Sequence, residues 1–402
     1  MTGLPWRCTL RLVMSTLAYL DYAATTPLDP RVRAAVDAAG ALVGNPSSVH
    51  RAGREVRAAV DRARASVARL LGAQPSEIVY TSGATEANSA ALAGVLRAVR
   101  APHADFTPHI VASSFEHASL AETIETLCKD GAARVTYVDP QNDGVVAAES
   151  IAAAITQDTV IVAVMWVNNV LGTVQPVAAI GEAVAAERAR RGTSGLPIVF
   201  LCDAVQAMST IAVSSAAAHV DILTISAHKM YGPKGVGTMR IVPGTPFAPI
   251  VGGGGQESGR RHGTENVAGI VGFGVAAEIL FEERDKDIAH ALSLRRAFFD
   301  ALGRSVPRAV RVGADGVPGT VFLRIPSVRG DELALKLDAA GFAVSAGSAC
   351  EAGKRRSSVA LAAVLDEQSA FRGGVRVSFG RFTAQNELED FVQALQKITI
   401  SA

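Results

Sequence analysis

The sequence predicts an α/β fold, a mostly parallel sheet followed by a smaller α+β unit, and three observations carry that expectation. Helical and strand patterns alternate between about residues 30 and 275, as they do when helices cover both faces of a parallel sheet. The longest apolar stretch, residues 159–167, is strand-sized and rich in β-branched side chains, the composition of a strand buried on both faces. Beyond residue 267 one long helical stretch leads into strands and helices of a second kind.

Residues 54–71 place Val56, Ala59, Val60, Ala63, Val67 and Leu70 near a 3.6-residue period with arginines between them, which predicts an amphipathic helix. Residues 77–80 read as a short strand running into the small-residue turn Ser82-Gly83-Ala84-Thr85, with a helix from about Glu86. Residues 109–112, 134–138, 160–167, 197–201 and 220–225 repeat the strand theme, with helices between most of them. Residues 267–302 read as helix despite the charged run at 282–287. Strands at 320–324 and 375–378 then alternate with helices at 330–340 and 384–398. This divides the chain into a large α/β domain, 30–275, and a small α+β domain built from 1–29 and 276–402. No period of 20–50 residues recurs, so a repeat architecture is not expected. The segment ahead of Met14 lacks the apolar core of a signal peptide. It reads either as a frayed arm or as sequence upstream of the true start.

At 402 residues, 49% hydrophobic and 19% charged, the chain has the composition of a soluble globular protein and not of a disordered one. A formal net charge of +1, from 39 basic and 38 acidic residues, offers no broad footprint for nucleic acid or anionic lipid. No stretch approaches the roughly 18 apolar residues that span a bilayer, so no membrane partner is expected. Cys8, Cys128, Cys202 and Cys350 are too sparse for a disulfide framework, and no CxxC pair suggests a metal. The cytoplasm is the expected compartment. Two apparent nucleotide motifs fail on spacing. Five residues, not four, separate Gly347 from Gly353, and Arg355 stands where a magnesium-binding hydroxyl belongs. The glycine run 252–255 opens no helix in dinucleotide-binding register.

The chemistry is expected at the carboxyl ends of the strands, where open α/β sheets collect their ligands. One strand ends in Cys202-Asp203-Ala-Val-Gln206 and the next in Ser226-Ala-His228-Lys229. Others lead to the turn 82–85, to Ser114-Phe-Glu-His117 and to Asn168-Asn169. Of seven lysines, Lys229 is the one that follows a nearly apolar strand. A partly desolvated amine there can lose its proton and condense with an aldehyde cofactor. Pyridoxal phosphate suits the other parts, since its ring nitrogen seeks a carboxylate and its phosphate seeks N–H groups at a helix start. Cys350 lies among Ser345, Ala346, Gly347, Ser348 and Ala349, a small-residue stretch suited to a loop, and Lys354, Arg355 and Arg356 follow. Nearby positive charge favours the thiolate.

These residues resemble a known family. Asp203-Ala-Val-Gln206, residues 226–235 (SAHKMYGPKG), Thr81-Ser-Gly-Ala-Thr-Glu86, Arg261-His-Gly-Thr-Glu-Asn266 and Gly347-Ser-Ala-Cys350 look like the signatures of class V pyridoxal-phosphate enzymes. More narrowly, they resemble the NifS/IscS-type cysteine desulfurases. Residues 20–27 (LDYAATTP) and 377–382 (VSFGRF) match as well, so the resemblance spans nearly the whole chain. It implies the fold type I architecture of pyridoxal-phosphate-dependent transferases, with a seven-stranded, mostly parallel sheet.

By that resemblance Lys229 bears the cofactor as a Schiff base, Asp203 pairs with the ring nitrogen, and Gln206 and Asn169 approach the ring's 3-oxygen. Ala84, Thr85, Ser226 and His228 bind the phosphate, joined by Thr264 of a neighbouring subunit in a homodimer. His117 stacks on the ring and shuttles protons. Arg381 clamps the substrate carboxylate, a bidentate match for a guanidinium, and Asn45 assists it. The implied reaction converts L-cysteine to L-alanine, leaving a persulfide on Cys350 for transfer to an acceptor protein serving iron–sulfur clusters, other cofactors or tRNA. A selenocysteine lyase or another class V lyase or aminotransferase is the alternative, and needs no such thiol. The chain departs from the family pattern at Val170 (usually a carboxylate), at His262 (usually a small residue) and in the charged stretch after Cys350.

Overall fold

A computed structural model describes residues 17–100, 106–215, 217–346, 348–351, 354–357 and 359–400. Cys8 and the segment ahead of Met14 lie outside the described residues, as do Gly347 and Gly353. The first half of the chain runs β1 (Ala18–Tyr19), α1 (Pro30–Gly40), α2 (Arg51–Leu71), β2 (Ile78–Thr81), α3 (Ala84–Arg100), β3 (His109–Ser113) and α4 (Ala118–Lys129). It continues through β4 (Arg134–Val138), α5 (Ala148–Ala154), β5 (Thr159–Ala163), α6 (Val177–Arg191), β6 (Val199–Asp203), β7 (Ile222–Ser226) and β8 (Gly237–Ile241). Then come α7 (Val267–Ser305), β9 (Val310–Val312), β10 (Thr320–Arg324), α8 (Gly330–Ala339), β11 (Phe342–Ala343) and β12 (Ser345–Ala346). The chain closes with β13 (Ser348–Glu351), β14 (Lys354–Ser357), α9 (Val359–Ala362), α10 (Glu367–Arg372), β15 (Val375–Ser378) and α11 (Gln385–Ile400).

Seven strands form the large sheet in the order β2-β8-β7-β6-β5-β3-β4. All pairs are parallel except those of β8, which runs antiparallel to both neighbours. The expected fold class is therefore borne out. The apolar runs of the central strands have a simple cause. Val111, Val162, Phe200 and Leu223 face one hydrophobic core, while Ile110, Ile161, Val199 and Ile222 face another on the opposite side. β8 escaped the sequence reading because it begins with glycine and carries a charge. Arg240 is buried there, its Nε donating to Glu77 at 2.6 Å and its Nη1 to Ser215 at 2.6 Å. α2 forms as its periodicity predicts, with His50 capping its first turn and left-handed Gly72 ending it.

A second sheet, β12-β15-β10-β9, is antiparallel and carries its own core of Phe298, Leu323, Val377, Leu388 and Phe391. The N-terminal segment joins it, Ala18 pairing with Phe342 and Asp21 bridging to Ser378. α7 is continuous for 39 residues and packs on α1 and α2 as well as on α11, so residue 275 falls inside a helix. No helix of the described residues is long and apolar enough to cross a membrane. Val170, where the family pattern has a carboxylate, packs against apolar side chains of two hydrophobic cores.

At the edge of the sheet remote from the catalytic candidates, His109 is buried, its Nδ1 2.8 Å from Thr159 Oγ1 and its Nε2 2.9 Å from Thr136 Oγ1. Burial pushes its pKa from 6.5 down to about 4, so the fold holds it neutral. The unfolded chain binds the proton first as pH falls, and the contribution present above 6.5 is lost between 6.5 and 4. The slope is at most about 1.4 kcal/mol per pH unit. Chemical denaturation at pH 7.5 and 5.0 should show wild type losing more stability on acidification than His109→Gln. Equal losses would contradict a neutral imidazole.

Candidate active site

The carboxyl ends of β2, β5, β6 and β7 surround a cavity of about 720 Å³. Its wall includes His117, Asn169, Asp203, Gln206, Ser226, His228 and Lys229, together with Ala84 and Thr85 at the start of α3. Of the thirteen expected site residues nine share this cavity, while Arg381, Asn45 and Thr264 do not line it and the side chain of Cys350 lies outside the described residues. The reason is topological, since parallel strands deliver all their ends to one edge.

Lys229 closes a short 3-10 turn directly after β7. Its Nζ donates to the carbonyls of Ala23 and Ala24 at 2.5 and 2.7 Å. Burial first, and the Arg376 guanidinium second, bring its pKa from 10.5 down to about 8, against the opposing pull of Asp21 and Asp203. Asp203 ends β6 and is 6% exposed. Its Oδ2 accepts from Asn88 Nδ2 at 2.8 Å and its Oδ1 from Val205 N at 2.9 Å. Gln206 Nε2 donates to Ala23 O at 2.8 Å, beside the lysine.

His117 is the N-cap of α4, its Nδ1 accepting from Ser119 N at 3.1 Å. The neutral ring therefore carries its proton on Nε2. His228 Nδ1 lies 3.1 Å from Thr25 Oγ1, and burial followed by Lys229 and Lys234 pushes its pKa to about 4.

Other expected residues lie elsewhere. Arg381, expected at the substrate carboxylate, is not among the residues that line the cavity. Its Nη1 pairs with Asp29 at 2.8 Å and its Nη2 with Asp287 at 2.6 Å, with Tyr231 beneath the guanidinium at 4.5 Å. Two carboxylates saturate the fork and leave it no bidentate face to offer. Asn45 is exposed and holds its own turn, Oδ1 accepting from Ser47 N at 2.9 Å. Thr264 is exposed and away from this cavity. His262 accepts from Gly255 N at 2.9 Å through Nδ1. The backbone of Cys350 lies in β13, opposite Arg355 of β14, so the expected loop is an antiparallel hairpin at this point.

Sequence reasoning passed over Arg376. It sits on β15, lines the cavity, and is 8% exposed. Its Nη1 donates to Asn169 O at 2.7 Å and its Nη2 to Asp21 and Ser345 at 2.8 and 2.9 Å, while the buried Nε has no partner among the described residues. The signal was a lone guanidinium inside the otherwise buried strand 375–378.

Pyridoxal phosphate requires an amine able to lose its proton, a carboxylate for the ring nitrogen, and N–H donors for the phosphate. Lys229, Asp203 and the α3 N-terminus supply these from three walls of one cavity. Gly237 of β8 makes room for the turn. A Cβ there would lie 2.7 Å from the Gly83 carbonyl carbon and 2.9 Å from Ile225 O, so the strand can pass behind only as glycine. The residues present fit the group.

Comparison with known proteins agrees. The aminotransferase class-V family model matches residues 18–391. Cysteine desulfurase IscS of Dictyoglomus turgidum is 36% identical over 388 residues, covering 96% of this chain and 95% of that one. The solved structure of a NifS-like protein superposes with a TM-score of 0.86 at 32% identity, covering 96% of this chain and all of the other. The structure described as SspA in complex with cysteine gives a TM-score of 0.78 at 30% identity, covering 91% of this chain and 100% of that one. With a family match across nearly its full length, a shared fold and a cavity whose residues suit the same chemistry, the chain belongs to the aminotransferase class-V family.

Proposed function

We propose that the protein is a pyridoxal-phosphate-dependent cysteine desulfurase, a sulfurtransferase that converts L-cysteine to L-alanine and passes the sulfur through Cys350 to an acceptor protein. The observation that carries this reading is a lysine of lowered pKa in the same cavity as a buried carboxylate and the N-terminus of α3. Relatives named cysteine desulfurase support the substrate, as does a structural neighbour described as holding cysteine.

Lys229 would bear the cofactor, Asp203 would pair with its ring nitrogen, and Gln206 and Asn169 would approach its 3-oxygen. Ala84, Thr85, Ser226 and His228 would hold its phosphate. When bound, pyridoxal phosphate serves as an electron sink for negative charge developing at the substrate Cα. The Lys229 amine takes the proton from Cα, a task its lowered pKa suits near neutral pH. Arg376, whose buried Nε is unpartnered among the described residues, holds the substrate carboxylate in the role first expected of Arg381. The Cys350 thiolate then attacks the substrate Sγ. The S–S bond forms as the Cβ–Sγ bond breaks, and the electron pair stays with carbon. Lys229 and His117 return protons to carbon, releasing L-alanine and leaving one additional sulfur on Cys350.

The reading extends to a homodimer in which Thr264 reaches the neighbouring subunit's phosphate site. Its support is the exposure of Val43, Val49 and Val251. The large domain would comprise 30–275, with 1–29 and 276–402 as the small one. A cytoplasmic setting suits the free thiols of Cys128 and Cys202 and the chemistry of a persulfide.

Three measurements test this. Mass spectrometry after L-cysteine treatment should show the mass of one sulfur on Cys350 with stoichiometric alanine. Cys350→Ala should keep the near-visible cofactor absorbance and lose the adduct, whereas alanine formed without an adduct would point to a lyase. Capture of pyridoxal phosphate by the apoprotein should speed up about tenfold per pH unit below the Lys229 midpoint of about 8 and level off above it. A midpoint near 10.5, the ordinary lysine value, would contradict the desolvated amine. Finally, Arg376→Ala should raise KM for cysteine about ten- to a hundredfold, the loss of a charge-assisted contact. Arg381→Ala should leave KM close to wild type and lower stability by about 3–5 kcal/mol, because the buried Asp287 loses the guanidinium that meets it while Asp29 keeps Arg31. The reverse pattern would restore Arg381 to the substrate.

A further inference from the structure

Asn88 lies on α3, behind the cavity wall, and is wholly buried. Its side chain makes three hydrogen bonds, each to a different element. Nδ2 donates to Asp203 Oδ2 at 2.8 Å and to Ser119 Oγ at 2.9 Å, while Oδ1 accepts from Thr224 Oγ1 at 2.6 Å. The amide orientation is fixed by chemistry, since an ionised carboxylate can only accept and the amide nitrogen must face it. Direction then propagates outward. Ser119 Oγ accepts from Asn88, so its own hydrogen is available to His117 Nδ1, 2.9 Å away. Nδ1 already accepts from Ser119 N. Thr224, Asn88 and Ser119 thus form one donor chain that ends on the Asp203 carboxylate and on the acceptor nitrogen of His117.

We propose that Asn88 is a positioning residue for this site, a buried junction that holds the Asp203 carboxylate as an oriented acceptor and, through the Ser119 hydroxyl, adds a second donor to His117 Nδ1 that holds the plane of the ring. The proposal rests on the desulfurase reading and deepens it. The carboxylate that faces the cofactor nitrogen and the imidazole that returns the proton are aligned by a single amide. Among the described residues no other side chain donates to Asp203, whose remaining partner is the backbone of Val205. Burial makes the arrangement all-or-none, because a polar group at 0% exposure has no water to replace a lost partner.

The test compares Asn88→Ala with the milder Ser119→Ala, which cuts only the arm to His117. Readouts are cofactor Kd by equilibrium dialysis, the position of the near-visible absorbance band of the holoenzyme, and kcat and KM separately. In Asn88→Ala the band should move, cofactor Kd should rise about tenfold, and kcat should fall about ten- to a hundredfold with KM changed less than threefold. In Ser119→Ala the band and Kd should match wild type while kcat falls severalfold. A packing role alone would lower the melting temperature and leave the band, Kd and kcat in place, and that result overturns the assignment. Should Asn88→Ala fail to fold, Ser119→Ala decides, since an unchanged kcat there overturns the junction. Wild-type protein that takes up no pyridoxal phosphate defeats the desulfurase reading itself and this assignment with it, an outcome separate from a wild type that loads and a variant that matches it.

Discussion

The parallel pairing of β6 with β7 is the constraint on which the site depends. Asp203 lies opposite Thr224 in that ladder, and both strands run the same way, so the carboxylate and the turn bearing Lys229 emerge at one edge. A slip of one residue would exchange the faces of a whole strand, turning Asp203 away from Asn88. Two opposite charges are buried close to this edge, and each is costly to remove from water. The backbone offsets much of that cost. Val205 N–H serves the acid, and the carbonyls of Ala23 and Ala24 serve the amine.

Those carbonyls come from the N-terminal segment, which pairs with β11 and bridges to β15 before it reaches the lysine. The second sheet is therefore part of the site and more than a neighbour to it. Arg376 makes the same connection from the other side, joining Asp21 and Ser345 to the carbonyl of Asn169 after β5. Its positive charge helps to keep the lysine's proton loosely held. The two sheets thus share an electrostatic balance at the cavity.

Arg376 and Arg381 show how little sequence distance says about role. The first lies on a strand whose buried surface meets the cavity. The second follows the strand's end and closes an ion-pair cluster between Asp29, which caps α1, and Asp287 of α7. That cluster fixes the first helix to the long one. Removing the guanidinium would take from the buried Asp287 the cation that meets it through Nε and Nη2, while Asp29 would keep Arg31.

The sequence by itself determined the strand–helix alternation, the long helix and most of the cavity's residues. Those features are encoded locally, in periodicity and in polar residues placed just after apolar strands. Tertiary structure decided the rest. β8 could not be read because its charge is compensated by Glu77, 163 residues away. The place of Arg376 and the junction at Asn88 were hidden for the same reason, since Asn88 meets Asp203 across 115 residues and Thr224 across 136. A hydrogen bond constrains geometry in space and leaves no period along the chain, so these assignments required the fold.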